Sequence, residues 1–186
     1  EIGLASEAEP NGDGDVLVDL VLDRTDPQFR VPEIEPFVVR PEDDRGVTIT
    51  ATLVQHAPVF PALAYRFDTP SGSVVFSGDT GPCENVVRLA RGADILVHEV
   101  IDLDALIGRM SSLPNHDTVR RQLGTSHTPY DCVGDIAKRA GVGTLVLSHL
   151  VPGEGSHTPD EWEALVRPDF DGEIVCGVDL DELRIG

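Results

Sequence analysis

Three successive apolar runs along the chain each finish in a residue that can bind a cation or move a proton. "VVFSGD" ends in Asp79, "ILVHE" in His98 and Glu99, and "TLVLSH" in His149. Short apolar runs closed by small or turn-forming residues are buried strands opening into loops. A carboxylate there must be solvated, hydrogen-bonded or bound to a cation, because burying it bare costs several kcal/mol. Taken singly, Asp79 reads as a cap for the next helix, and a strand-end histidine reads as a hydrogen-bonded structural residue. Taken together they read differently. Three successive strands end this way, with His127 just before a helix start, and ligands in open α/β sheets collect at the carboxyl ends of strands. His56, in "LVQHAP", also follows an apolar strand and can join the same site. His116 is expected to be solvent-exposed, and His157 to be a loop residue preceding a helix.

A mixture of imidazole and carboxylate suits zinc, manganese or iron, and an aspartate can bridge two such ions about 3.5–4 Å apart. A serine hydrolase is the rival chemistry, since Ser126 and Ser148 each precede a histidine. Against it, the chain has no G-x-S-x-G elbow, and adjacency in sequence is not the geometry of a triad. Nor is there a phosphate-cradling loop of the P-loop or dinucleotide type.

The elements that must position these residues fall into two textures. From residue 15 to about 78 the pattern is strand-like: "DVLVDLVL", "PFVVR", "VTITATLV", "LAYRF" and "SVVFS", punctuated by turn formers. Beyond Asp79, strands and helices alternate. "CENVVRLARG", "DLDALIGRM", "YDCVGDIAKRAG" and "DEWEALV" read as helices; "ADILVHE", "VGTLVLSH" and "EIVCGV" read as strands. That rhythm predicts an α/β fold with helices packed on a sheet. The stretch "SSLPNHD" reads as a loop. Thr128-Pro129 and Thr158-Pro159 each read as a threonine N-cap followed by proline at the first helical position.

With 186 residues there is room for one sizeable domain. The 33 acidic residues outweigh 14 basic ones, of which Lys138 is the only lysine, giving a net charge of −19. Such a field repels phosphate polymers and anionic membranes, and no apolar run is long enough to span a bilayer. Cys83, Cys132 and Cys176 make no metal-binding spacing and no disulfide framework, which points to a reducing, cytoplasmic setting. Glu1 stands where an initiator would, and the only methionine is Met110.

"QHAPVFPALAYRF", "FSGDT", "ILVHEV", "SHTP" and "LVLSHL" resemble, in that order, the motifs of the metallo-β-lactamase superfamily, in its ribonuclease Z and arylsulfatase-like branch. The resemblance spans roughly residues 45–152. It implies an αββα sandwich, with His56 binding one zinc, Asp79 bridging two, and His149 binding the second; manganese or iron could take zinc's place. Glu99 and His127 match the segments that contact the scissile group and shuttle protons. The superfamily's signature H-x-H-x-D-H is absent, because no two of the six histidines lie two apart. The chain is therefore expected to be the C-terminal portion of a longer enzyme, with 1–14 a loop or tail and 15–186 the metallo-β-lactamase-like part. The missing N-terminal part would carry H-x-H-x-D-H. The expected activity is hydrolysis of a small phosphodiester, sulfate ester or lactone by metal-activated water. The acidic balance weighs against the alternative, 3′ processing of tRNA. A non-catalytic module that keeps the fold is the third reading. No membrane partner is expected, and self-association is left open.

Overall fold

The computed structural model describes residues 30–110, 115–153 and 155–185. The expected tail at 1–14 and the strand "DVLVDLVL" lie outside the described residues. Val31–Gly186 forms one compact unit, built on a seven-stranded sheet whose spatial order is the order of the chain.

The first four strands form an antiparallel meander: β1 (Phe37–Arg40), β2 (Thr48–Leu53), β3 (Leu63–Thr69) and β4 (Gly72–Phe76). The remaining strands add in parallel: β5 (Ile95–Ile101), β6 (Thr144–Val151) and β7 (Glu173–Cys176). Each parallel step needs a crossover. These are α1 (Glu84–Leu89), then α2 (Leu103–Arg109), α3 (His116–Ser126) and α4 (Tyr130–Ala140), and last α5 (Pro159–Val166), followed by a 3₁₀ turn at Arg167–Asp169. Crossovers of one hand that advance in one direction along a sheet put their helices on the same face. The core accordingly joins Val86 and Leu89 of α1, Val133 and Ala137 of α4, and Trp162 and Val166 of α5 to Val75, Leu96, Leu145 and Ile174 of the sheet.

The alternating and β-branched runs fold as expected from residue 37 onward. Two local expectations fail. His116 and Asp117, the end of the stretch "SSLPNHD" read as a loop, instead begin a helix that runs to Ser126, while 111–114 lie outside the described residues; only Ser126 on that helix is buried, so no apolar periodicity announced it. His116 is half-buried, not exposed, with Nε2 3.1 Å from the Met110 carbonyl oxygen. At the two Thr-Pro starts the outcomes differ. Thr158 caps α5 in a full capping box with Glu161. Thr128 caps nothing: the N-cap of α4 is Pro129, and the Thr128 hydroxyl instead donates to the Thr80 carbonyl at 2.6 Å.

Candidate metal centre

The carboxyl ends of β4, β5 and β6 lie side by side, and the residues after them converge. Asp79 does not cap the next helix, whose N-cap is Cys83. Its loop is locked from three sides. Gly78 adopts φ +59°, and a Cβ there would come within 3.0 Å of the Leu63 carbonyl. At Gly81 the fit is tighter, with the Thr125 carbonyl 2.3 Å from where a Cβ would sit. Between them Thr80 is fully buried: its N–H donates to Glu99 Oε1 at 2.8 Å, and its carbonyl receives the Thr128 hydroxyl. Asp79 is thus held on a rigid loop while its side chain stays 42% exposed.

On β5, alternation sends neighbouring residues to opposite faces. Leu96 and Val100 belong to the helix-covered core, and His98 lies with them, fully buried, its Nδ1 2.7 Å from the Glu99 carbonyl. His98 therefore takes no part in the cluster. Glu99 faces the other way, 1% exposed, and its Oε1 accepts from His127 Nδ1 at 3.0 Å as well as from Thr80. Its second oxygen, Oε2, is buried without a hydrogen-bond partner.

His149 owes its position to a bulge. Glu99 pairs with Ser148 and Val100 with Leu150, so His149 is the extra residue, with a left-handed φ of +45°. A β-bulge re-aims a side chain out of the ladder, and a non-glycine residue at positive φ is held there by its surroundings. The His149 ring stacks on that of His127, centroids 5.6 Å apart and 3° from parallel. His56 completes the group: its Nδ1 lies 2.8 Å from the Ser126 carbonyl, and its ring meets His127 edge-on at 5.1 Å.

The donor atoms of Asp79, His127 and His149 all lie within 4.8 Å of one another. Asp79 Oδ2 is 3.8 Å from His149 Nε2 and 4.0 Å from His56 Nε2. These separations are too long for hydrogen bonds and close to the donor spacing around a tetrahedral zinc, about 3.4 Å for bonds near 2.1 Å. The site residues fit a divalent cation. The Glu99 hydrogen bond raises the His127 pKa above its ordinary value, outweighing burial, which lowers it; the Glu99 and Asp79 charges add to the rise. Sequence reasoning missed Thr80 and Thr128, the pair that ties the Asp79 loop to the start of α4. Their only signal was a threonine within "SGDT" and another within "SHTP".

The thiols are unreactive by environment. Burial raises all three pKa values, that of Cys132 to about 11 with neighbouring aspartates adding to the rise, and none forms a disulfide. Among the described residues no helix is long and apolar enough to cross a membrane.

His98 supplies a test of the core. Burial lowers its pKa, so the folded state holds it neutral, while the unfolded chain takes up a proton below about pH 6.5. The unfolded state then binds more protons, and stability falls as pH drops through that value, by up to about 1.4 kcal/mol per pH unit. Urea denaturation at pH 7.5, 6.5 and 5.5 should show this fall in the parent and a shallower one in His98→Leu. Parallel curves would mean that His98 does not titrate in this way.

A profile of the beta-lactamase superfamily domain matches residues 16–150. The ribonuclease Z of Mycobacterium tuberculosis strain H37Rv is 36% identical over 154 residues, covering 82% of this chain and 54% of that protein. The chain spans about half to two-thirds the length of the curated relatives it matches. Among solved structures, the metallo-beta-lactamase fold protein YhfI of Bacillus subtilis superposes with a TM-score of 0.52 at 24% identity, over 75% of this chain and 48% of that one. Human tRNase Z, short form, gives 0.52 at 16% identity, over 82% and 46%. At these identities the structural likeness speaks for the fold alone.

Proposed function

The chain belongs to the metallo-β-lactamase superfamily, and from that premise we propose that it works in a metal-dependent hydrolase of the ribonuclease Z type, cleaving a phosphodiester bond in precursor tRNA. The observation that carries the hydrolytic reading is the convergence of Asp79, His127 and His149 beside a buried glutamate. The choice of RNA as substrate rests on the ribonuclease Z proteins among its relatives, and it displaces the small ester expected from composition as the leading reading.

Asp79 and His149, with His56 beside them, would hold zinc, manganese or iron. A bound divalent cation supplies Lewis acidity and a water of lowered pKa at neutral pH. The side chains of this chain do the rest. Glu99, fixed by the Thr80 amide, orients His127 and favours its protonated form. With Nδ1 so engaged, His127 has Nε2 left to donate a proton to the departing oxygen. A two-ion centre needs more donors than these, and H-x-H-x-D-H, absent from the 186 residues, is the set we propose completes it from elsewhere in the protein.

A small phosphodiester, sulfate ester or lactone remains the second reading, favoured by one observation: a net charge of −19 with a single lysine. Binding a polyanion means displacing its counterions with Lys and Arg. The test compares the zinc-loaded enzyme on precursor tRNA, bis(p-nitrophenyl) phosphate, an aryl sulfate and a lactone. Site-specific tRNA cleavage that weakens steeply with added salt is expected. Turnover of the small esters with no tRNA cleavage at low salt would replace the first reading by the second.

A further inference from the structure

Past His149, the described residues between β6 and α5 and those after β7 border an open cavity of about 440 Å³, with His149 on its rim. That size suits a small-molecule group. Trp162, 1% exposed, forms its floor, and Leu150 and Val178 its apolar walls. At Gly153 and Gly177 a ligand meets bare backbone. Among the described residues no lysine or arginine lines the cavity, and Asp179 is the one acidic lining residue, so none of them offers a phosphate a positive charge. A neutral, flat group does.

His157 is the polar feature of this cavity. Its Nε2 lies 2.9 Å from Asp102 Oδ2. Asp102 is nearly buried, at the end of β5, and its other oxygen accepts the Ala105 amide to cap α2. A carboxylate can only accept, so Nε2 carries the hydrogen, and in that neutral tautomer Nδ1 is an acceptor. The Trp162 ring packs edge-on against the imidazole at 4.7 Å and 80°, which fixes its plane. Nδ1 has no partner among the described residues. An oriented acceptor over apolar walls suits the exocyclic amine of a nucleobase.

We propose that this cavity is a nucleobase subsite, in which His157, oriented by Asp102, accepts a hydrogen bond from the base of the nucleotide adjoining the scissile phosphate. The inference rests on the phosphodiester reading above, since a group at the rim beside His149 would be covalently next to whatever the metal centre holds. His157 was expected from sequence to be only a loop residue before a helix; it does occupy that place, and the Asp102 contact gives it a direction.

The test needs no turnover. Adenosine, cytidine, ribose and p-nitrophenol are titrated into the isotopically labelled chain, and backbone amide and indole shifts are followed by NMR. Trp162 is the only tryptophan, so its indole gives one unambiguous signal from the lining of this cavity. Adenosine and cytidine should shift Gly153, Gly177, Val178 and the Trp162 indole saturably, with Kd of about 1 mM, as for a small ligand with few contacts. Ribose should not. His157→Ala should weaken binding about tenfold, the worth of one hydrogen bond, and His157→Asn, whose Oδ1 falls near the lost Nδ1, should recover part of it. Failure of nucleosides to shift these signals in the parent protein overturns the proposal even if His157→Ala does not fold. So do equal shifts with ribose, or stronger ones with p-nitrophenol. If nucleosides miss the cavity while precursor tRNA is still cleaved, the subsite falls and the ribonuclease reading stands. If they bind and no phosphodiester is cleaved, the converse holds.

Discussion

Asp79→Asn in the zinc-loaded enzyme is expected to lose bound metal and at least ~10³-fold in kcat/KM, roughly 4 kcal/mol of transition-state stabilisation. Asp79 is the only carboxylate in the cluster of three donors, and its Oδ2 stands between His56 and His149 at 4.0 and 3.8 Å. An amide oxygen carries no charge to offset a dication and bridges poorly. The fold should not suffer, because the loop is held by the backbone of Gly78, Thr80 and Gly81, and the Asp79 side chain is 42% exposed. Metal content after dialysis, turnover and thermal midpoint are measured on the same preparation. A variant that keeps both metal and turnover removes Asp79 from the centre.

His127→Ala is expected to fail differently. Loss of a positioned general acid costs about 10²–10⁴ in rate, so kcat should fall by that order while metal content stays near that of the parent. Glu99→Gln should follow in the same direction, since it weakens the hydrogen bond that orients His127. The rival assignment is concrete: the donor atoms of His127, Asp79 and His149 lie within 4.8 Å of one another, so His127 could itself be a ligand. If His127→Ala loses zinc as readily as Asp79→Asn, His127 is a ligand and the proton must come from elsewhere.

Much of the site was legible because strand ends are legible. An apolar run followed by Gly-Asp-Thr, His-Glu or Ser-His places its polar residues at the carboxyl edge of a sheet, whatever the tertiary details. What could not be read was direction. Adjacent His98 and Glu99 look equivalent in sequence, but alternation buries one among Leu96 and Val100 and turns the other to His127. His149 reaches its place through a one-residue bulge that no local pattern encodes. The helix at 116–126 was missed for a related reason: it buries only Ser126, and a helix without an apolar stripe leaves no periodic trace. Thr128 was misassigned because Ser/Thr-Pro is a good cap in general, whereas here the hydroxyl was drawn off to the Thr80 carbonyl across the site.

Among the described residues, each strand of the sheet bonds to the strands immediately before and after it in the chain. The described strands can be laid down in the order of synthesis, none of them waiting for a distant partner, and nascent chains build from the N-terminal side. Of the pairings on which the cluster depends, β5 with β6 spans the longest excursion, since α2, α3 and α4 intervene. β4 and β5 can pair before that, but the Asp79 loop and Glu99 gain their contacts to Thr125, Thr128 and His127 only when the segment before α4 docks. Only when β6 zips onto β5, with its bulge at His149, does the third donor arrive. Completion of the three-donor cluster therefore waits on the pairing of β6 with β5.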